Sequence, residues 1–303
     1  MSKLLTVIIP TYNPNLERLD HVLDALKKQS LPLSNWELII IDNNSNPNVM
    51  ANLDWHPHHT IIKEEKVGLT HARLKGFNCA SSNLILMVDD DNILADDYLK
   101  TVVSIFSSHP KIGAIGGKSL PIFEVKPPRY LKKFYNNLAL RDLGDSIIIN
   151  QWANEYPASA PIGAGMALRK EALKNYLDKY TKGKNILNDR TGDSLSSGGD
   201  NDIVMEVLKS EWEVGYFPEL VLKHIIPEAR MQVKYLARLI NSSNKSWIDF
   251  LNHHHINPWK RISTFSLPFR KAKSYVKNKA WKNEENYITW KGLCGLYDGL
   301  SKK

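Results

Sequence analysis

Five short apolar runs, separated by amphipathic segments, constrain the fold more than any other feature of the sequence. They are residues 4–10, 37–42, 84–88 and 112–117, with a weaker run at 59–63. Between the first two runs, leucines recur at helical spacing from Leu16 to Leu26, and residues 69–80 and 97–108 predict further helices. Strands that are apolar at almost every position are buried on both faces, as in parallel sheets. The pattern predicts an α/β fold with a doubly wound, mostly parallel sheet and helices on both faces.

The order becomes less regular after residue 118. Residues 181–199 are rich in Gly, Ser, Asn and Lys and predict a mobile loop, whereas a helix at 200–210 and strands up to 226 follow it. The remaining residues are basic and read as helices interrupted by proline. We therefore divide the chain into residues 1–229, with halves 1–118 and 119–229, and a helical C-terminal extension, 230–303.

Charge is distributed unevenly along the chain. The extension has 15 Lys and Arg against 4 Asp and Glu, a net charge of +11, and the first 229 residues have 25 against 28, or −3. This asymmetry predicts an anionic partner for the extension and argues against nucleic-acid binding by the whole protein. Two cysteines and the lack of a signal-peptide or membrane-spanning apolar run indicate a cytoplasmic protein.

Polar residues follow three of the predicted strands. Pro10-Thr11-Tyr12-Asn13 ends the first, Asp42-Asn43-Asn44-Ser45 the second, and Asp89-Asp90-Asp91-Asn92 the fourth. Ligands of open α/β sheets bind beyond the carboxyl ends of the strands, so these side chains are the candidates for a site. No glycine-rich phosphate loop follows any of these strands, which argues against dinucleotide binding and ATPase chemistry.

The Asp89-Asp90-Asp91 triplet is the most specific of these features. Three adjacent carboxylates repel one another, so a cation or a ligand rich in hydrogen-bond donors is needed to keep all three ionised. Oxygen ligands suit Mg²⁺ or Mn²⁺, which typically bind one or two carboxylates together with substrate phosphates. The alternative is a solvated turn that caps a helix beginning near residue 96.

Taken in order, VIIPTYN, IIIDNNS, VGLTHARLKGF and MVDDDN resemble family 2 of the inverting glycosyltransferases, which have the GT-A fold. PIGAGMALRKEAL, SGGDNDI and LKHIIP resemble acceptor-side segments of the same family, so the resemblance covers about residues 4–230. It implies a nucleotide-sugar-binding half at 1–118, an acceptor-side half at 119–229, and a Mn²⁺ or Mg²⁺ cofactor.

The resemblance also implies roles for individual residues. Donor binding falls to Pro10, Tyr12, Asp42, Arg73, Asp89 and Asp90. Asp90 would contact the ribose, and Asp91 would bind the metal that bridges the diphosphate. Two alternatives stay open: Asp42 as a turn-forming residue, and Arg73 as a surface arginine on an amphipathic helix.

The segment SGGDNDI supplies the candidate general base. The family normally has Glu-Asp here with the Asp as base, and alignment on Ile203 places the base at Asp200 with Gly199 in place of the Glu. The register can also slide to Asp202, or Asp200 can serve only as a helix cap. By the same resemblance His224 approaches the metal or the diphosphate, against the alternative of a buried structural histidine.

The sequence therefore predicts an inverting, metal-dependent glycosyltransferase of the hexosyltransferase type. Its partners would be a nucleotide-sugar donor, with UDP-sugar favoured, and a glycan or lipid-linked acceptor in surface polysaccharide or glycolipid synthesis. The competing predictions are a sugar nucleotidyltransferase and a non-catalytic nucleotide-sugar-binding protein. For the basic extension, residues 259–281 interleave aromatic and cationic side chains, which predicts either an anionic membrane surface at the inner leaflet or packing on the catalytic domain.

Overall fold

A computed structural model describes residues 3–181 and 198–302 of the chain. Most of the segment predicted as a mobile loop therefore lies outside the described residues. The strands are β1 Leu5–Thr11, β2 Trp36–Asp42, β3 His59–Lys63, β4 Leu84–Met87, β5 Asn92–Leu94, β6 Ile112–Phe123, β7 Ile148–Asn150, β8 Ala167–Arg169 and β9 Glu213–Ile226. The helices are α1 Leu16–Lys27, α2 Leu69–Cys79, α3 Tyr98–Ser108, α4 Lys174–Thr181, α5 Gly199–Lys209, α6 Glu228–Met231, α7 Val233–His253, α8 Leu267–Lys277 and α9 Glu284–Leu300.

The strands form one sheet with the order β3-β2-β1-β4-β8-β6-β9-β5, and β7 pairs with β9. The strands β1 to β4 are parallel neighbours, joined in the registers Ile9↔Ile40 and Val7↔Leu86. By contrast, β8 is antiparallel to β4, and β9 is antiparallel to β5. The predicted mostly parallel sheet is confirmed. Each of these antiparallel pairs includes a strand from residues 119–229, where the sequence no longer alternates regularly between helix and strand.

Two apolar cores cover the two faces of the sheet. Alternate residues of each central strand point to opposite faces, so Val7 and Ile9 belong to one core and Ile8 to the other. The first core contains the buried faces of α1 and α3, and the second contains those of α2, α4 and α5. Burial on both faces is the reason that β1, β2 and β4 are almost uninterrupted apolar runs. The edge strand β3 is mostly exposed, so the prediction of burial on both faces is wrong for residues 59–63.

The described residues divide into two compact units. The first comprises residues 3–122, 139–181 and 200–225, and the second comprises 123–138, 198–199 and 226–302. In the second unit α7 packs closely on α9. The approach at Gly295 is so close that a Cβ added there would lie 2.0 Å from the backbone oxygen of Asn241. Tyr130 also donates a hydrogen bond to the Met231 carbonyl, 3.0 Å away, so the segment 123–138 packs with the helical extension. The functional division at residue 229 stays a prediction.

Candidate active site

The loops after β1 and β2 are connected by hydrogen bonds. The amide of Asn13 donates to the Ser45 hydroxyl at 2.9 Å, and the amide of Asn46 donates to the Asn13 side-chain oxygen at 2.8 Å. Asn13 adopts a φ of 47°, a left-handed conformation that asparagine tolerates better than most residues. The polar residues after the first two strands therefore lie together at the carboxyl edge of the sheet, as the sequence predicted. We call this edge, with its loops, the rim.

Asp42 lies at the end of β2 and is buried at 3% exposure. Its carboxylate accepts hydrogen bonds from the amides of Ser45 at 2.9 Å and Val49 at 3.0 Å. Burial alone would raise the pKa of Asp42, but the hydrogen bonds from Ser45 and Val49, with a smaller contribution from Lys63, hold it below its ordinary value. Asp42 thus makes the turn-forming contacts of the alternative interpretation, and contact with the donor base stays a prediction.

Pro10 and Tyr12 flank the last residue of β1 and differ in exposure. Pro10 is buried within the strand, whereas Tyr12 is 48% exposed and has its ring available at the rim. Between them, the Thr11 hydroxyl donates to a carboxylate oxygen of Asp90. The sequence included Thr11 among the polar residues at the end of the first strand but assigned it no role, and its hydrogen bond now links it to Asp90.

Arg73 in α2 is buried, so its interpretation as a surface arginine is wrong. Its guanidinium lies against Gly163, as shown by the 2.9 Å that would separate a Cβ added to that glycine from Arg73 Nη2. The same added atom would lie 3.3 Å from Asp200 Oδ2. The fold thus brings together three residues separated by about ninety and about forty positions along the chain.

The Asp89-Asp90-Asp91 triplet occupies the turn between β4 and β5. Asp89 and Asp90 are half-buried and Asp91 is buried. The residues after the triplet form β5, and α3 begins only at Tyr98, so the interpretation of the triplet as a solvated helix cap is wrong. Asn92 holds the turn, since its side-chain amide donates to Asp91 Oδ1 at 3.1 Å.

His224 in β9 is the cross-strand neighbour of Asn92 and lies beside Asp91. Its Nε2 is 3.3 Å from Asp91 Oδ1, and both side chains are buried. Ligand atoms of an octahedral cation with bonds of about 2.1 Å lie about 3 Å from one another, so this separation fits two ligands of one ion. A carboxylate and an imidazole together suit Mn²⁺ or a similar divalent cation.

The two acidic residues at the start of α5 have different surroundings. Asp200 is half-buried, and its carboxylate accepts hydrogen bonds from the amides of Gly163 and Asn201, each at 3.0 Å. Asp202 is fully buried and its two oxygens lie 2.7 and 2.9 Å from Nζ of Lys179. A carboxylate held in a buried ion pair is poorly placed to receive a substrate proton, which favours Asp200 over Asp202 as the base.

Tyr156 is a further residue of this region that sequence reasoning missed. Its hydroxyl lies 3.0 Å from the side-chain oxygen of Asn201, the residue after Asp200. Burial, reinforced by the charge of Asp200, raises the pKa of Tyr156 well above its ordinary value of 10.0, so the hydroxyl remains protonated and donates. No local pattern in the sequence links these residues, because they lie about 45 positions apart.

Comparison with known proteins relates these features to one family. A family model described as "Glycosyl transferase family 2" matches residues 6–177. An N-acetylglucosaminyltransferase of Bradyrhizobium diazoefficiens is 24% identical over 263 residues, which are 80% of this chain and 50% of that protein. The chain spans between about a quarter and a half of the length of the first curated relatives that it matches.

Two groups of solved structures share the fold. The mannosyltransferase PcManGT from Pyrobaculum calidifontis, in complex with GDP-Man and Mn²⁺, has a TM-score of 0.58 and 18% identity, covering 98% of this chain and 88% of its own. S. aureus TarS 1–349 in complex with UDP-GlcNAc has a TM-score of 0.55 and 14% identity, covering 97% and 89%. Among the described residues, no helix is long and apolar enough to span a bilayer.

Proposed function

The chain belongs to glycosyl transferase family 2, and from this premise we propose that it transfers a sugar from a nucleotide diphosphate donor to an acceptor hydroxyl, with inversion at the anomeric carbon. The predictions of the family, the transferase class and the GT-A-like fold are confirmed. The donor, the metal, the stereochemistry and a role in polysaccharide or glycolipid synthesis are proposals, supported as follows.

The observation that carries the proposal is the environment of Asp200. Its two amide hydrogen bonds fix the orientation of the carboxylate, and they use only part of its acceptor capacity of about four lone-pair sites. Asp200 would accept the proton of the acceptor hydroxyl as that oxygen bonds to the anomeric carbon and the bond to the nucleoside diphosphate breaks. A single positioned base that acts on the acceptor, with attack opposite the leaving group, gives inversion.

The rim residues of the first half would hold the donor. The exposed ring of Tyr12 offers an aromatic surface for a base, and the Asp90 carboxylate, positioned by Thr11, offers an acceptor for ribose hydroxyls. Fold relatives contain UDP-GlcNAc in one case and GDP-Man in another, so both nucleotides belong in a donor screen. We favour the uridine nucleotide because the motifs around Pro10 and Asp42 resemble uridine-binding members of the family.

Asp91 and His224 would hold the divalent cation. A bound Mn²⁺ or Mg²⁺ supplies electrostatic stabilisation for the negative charge that develops on the leaving diphosphate. The support from this chain is the 3.3 Å separation of two buried ligand-type side chains, one in the turn that precedes β5 and the other on β9. Asn92 would orient Asp91 for this role through the hydrogen bond from its side-chain amide.

A pocket formed by residues of the predicted acceptor-side half, 119–229, offers a place for a glycan acceptor. It has a volume of about 470 Å³ and is lined by residues of the segment 143–159. Asn150, Gln151, Glu155 and Ser159 contribute polar groups that can bind sugar hydroxyls. Glu155 and Pro157 line it on either side of Tyr156 in the sequence, and Tyr156 contacts the residue after Asp200. This arrangement supports an acceptor site close to the proposed base.

The test is a screen of UDP-sugars and GDP-Man with and without Mn²⁺, in which release of nucleoside diphosphate is measured with a panel of glycan acceptors. We expect release that requires the metal and increases with acceptor, and nuclear magnetic resonance of the product should show an inverted anomeric configuration. A retained configuration would contradict the role of Asp200. Pyrophosphate release from a nucleoside triphosphate and a sugar phosphate would identify a nucleotidyltransferase instead.

A further inference from the structure

The helix α8 and the turn before it carry apolar side chains on the side that faces solvent. Phe265 is 89% exposed, Phe269 79% and Val276 63%. Phe269, Ala272 and Val276 are spaced i, i+3 and i+7, so they form one stripe on the helix, and Phe265 continues it in the preceding turn. Large apolar side chains grouped on an exposed surface typically mark a site of interaction.

The opposite face of α8 is held by polar and aromatic contacts to α9. Lys271 Nζ is 2.7 Å from Asp298 Oδ1, and the indole of Trp290 donates to the Lys271 carbonyl at 3.0 Å. Tyr275 packs edge-on against Trp290 with ring centroids 5.0 Å apart. An ordinary surface helix turns its apolar stripe to the protein and its charges to water. Because α8 is anchored through Lys271 and Tyr275, Phe269 and the preceding Phe265 remain exposed to a partner.

A stripe of cations runs beside the apolar stripe. Arg270, Lys273 and Lys277 are exposed and also follow the spacing i, i+3 and i+7. Between Asp249 and Glu284 the sequence has eight Lys and Arg and no acidic residue. Trp281, 60% exposed, follows the helix and adds an indole of the kind enriched at membrane interfaces. The charge and the aromatic composition together complement a surface that is anionic outside and apolar beneath.

We propose that α8 with its preceding turn docks on an anionic lipid surface, lying parallel to it with Phe265, Phe269 and Val276 in the headgroup–acyl boundary and the three cations on lipid phosphates. Single-stranded nucleic acid would also attract the cations, but Ala272 and Val276 have no ring on which a base stacks. This surface is independent of the proposed transfer reaction. The proposal assigns the anionic partner predicted for the basic extension to one face of one helix.

Sedimentation of the full chain with vesicles tests the proposal. We expect binding to an equal mixture of phosphatidylcholine and phosphatidylglycerol, little binding to phosphatidylcholine alone, and a decline as salt rises. Lys273→Gln with Lys277→Gln should weaken binding about fivefold per cation, or about 25-fold together. The matched control, Lys27→Gln with Lys28→Gln, removes two exposed lysines at the C-terminal end of α1 and should bind as the wild type does.

The apolar stripe is tested by Phe265→Ser with Phe269→Ser, for which Met50→Ser, 86% exposed in the first unit, is the control. The phenylalanine pair should lose vesicle binding while retaining the wild-type melting temperature and nucleoside diphosphate release without vesicles. Equal binding to neutral and anionic vesicles, no binding to either, or equal losses in test and control variants would overturn the proposal. So would self-association without vesicles that the phenylalanine variants abolish, because the occupant would then be a second copy of the chain.

Discussion

Substitution of Asp200 and of Asp202, two residues apart in the first turn of α5, should damage different properties of the protein. Asp200→Asn removes the proposed base but leaves an isosteric side chain. Loss of a general base typically lowers the rate by about 10²–10⁴-fold. One of the amides of Gly163 and Asn201 loses its carboxylate acceptor, so the free energy of unfolding should fall by only about 1 kcal/mol.

Asp202→Asn should have the opposite pattern. The Asp202 carboxylate is fully buried against Lys179, whose side chain is 13% exposed. Removal of one partner of a buried ion pair typically costs about 3–5 kcal/mol, because the other charge is left buried. Glu206, 3.3 Å from Lys179, offsets part of that loss, so we expect about 3 kcal/mol. The folded fraction should turn over donor at close to the wild-type rate.

Two measurements separate these effects. Urea unfolding gives the free energies, and nucleoside diphosphate release per folded molecule at low temperature gives the rates. The double variant Asp202→Asn with Lys179→Met should recover part of the lost stability, since it removes the uncompensated ammonium. The reasoning is refuted if Asp200→Asn retains full turnover, or if Asp202→Asn is as stable as the wild type and inactive.

Three further substitutions test the rest of the candidate site. Asp91→Asn should abolish the increase in melting temperature that UDP with Mn²⁺ produces, and full activity of this variant in EDTA would exclude the metal assignment. Gly163→Ala should lower turnover with little change in stability, because the new Cβ would displace Arg73 and Asp200, whereas Gly198→Ala, with nothing within 4 Å, serves as the control in the same assay. Because the fold holds the pKa of Asp42 below its ordinary 3.8, its ionised form stabilises the protein at neutral pH. The free energy of unfolding in urea should be larger for the wild type than for Asp42→Asn at neutral pH, and this difference should shrink as the pH falls below about 4. A difference that stays constant with pH would contradict the lowered pKa of Asp42.

The first half of the fold could be predicted from the sequence because burial on two faces leaves a local signature. Each of the parallel strands β1, β2 and β4 is a short apolar run, whereas the edge strand β3 is mostly exposed. The residue that ends a parallel strand must lie at the same edge of the sheet as its neighbours' ends. The pairing of Thr11 with Asp42 shows this directly. The antiparallel strands left no such signature, because β8 is only three residues long and β9 reads as two strands interrupted near Pro218.

The sequence predicted a set of candidate site residues, which stays a prediction, but it did not predict the contacts among them. Arg73 lies on a helix with a weak amphipathic pattern, so nothing local indicates that its guanidinium is buried beside Gly163. The outward direction of Phe265 and Phe269 likewise depends on the contacts that α9 makes with α8. Contacts of this kind join residues that are distant in the sequence, and a single sequence does not record them.

Local helix geometry alone cannot assign the proposed base to Asp200 or to Asp202. Successive residues of an α-helix are about 100° apart, so these two carboxylates point about 200° apart and cannot reach the same substrate atom. Helical geometry alone therefore requires that one of them have another role. The contact with α4 favours Asp202 for that other role, because Lys179 supplies the cation that makes burial of a carboxylate tolerable. Asp200 lacks that cation and lies beside Gly163 and Arg73, and it is the residue that we propose as the proton acceptor.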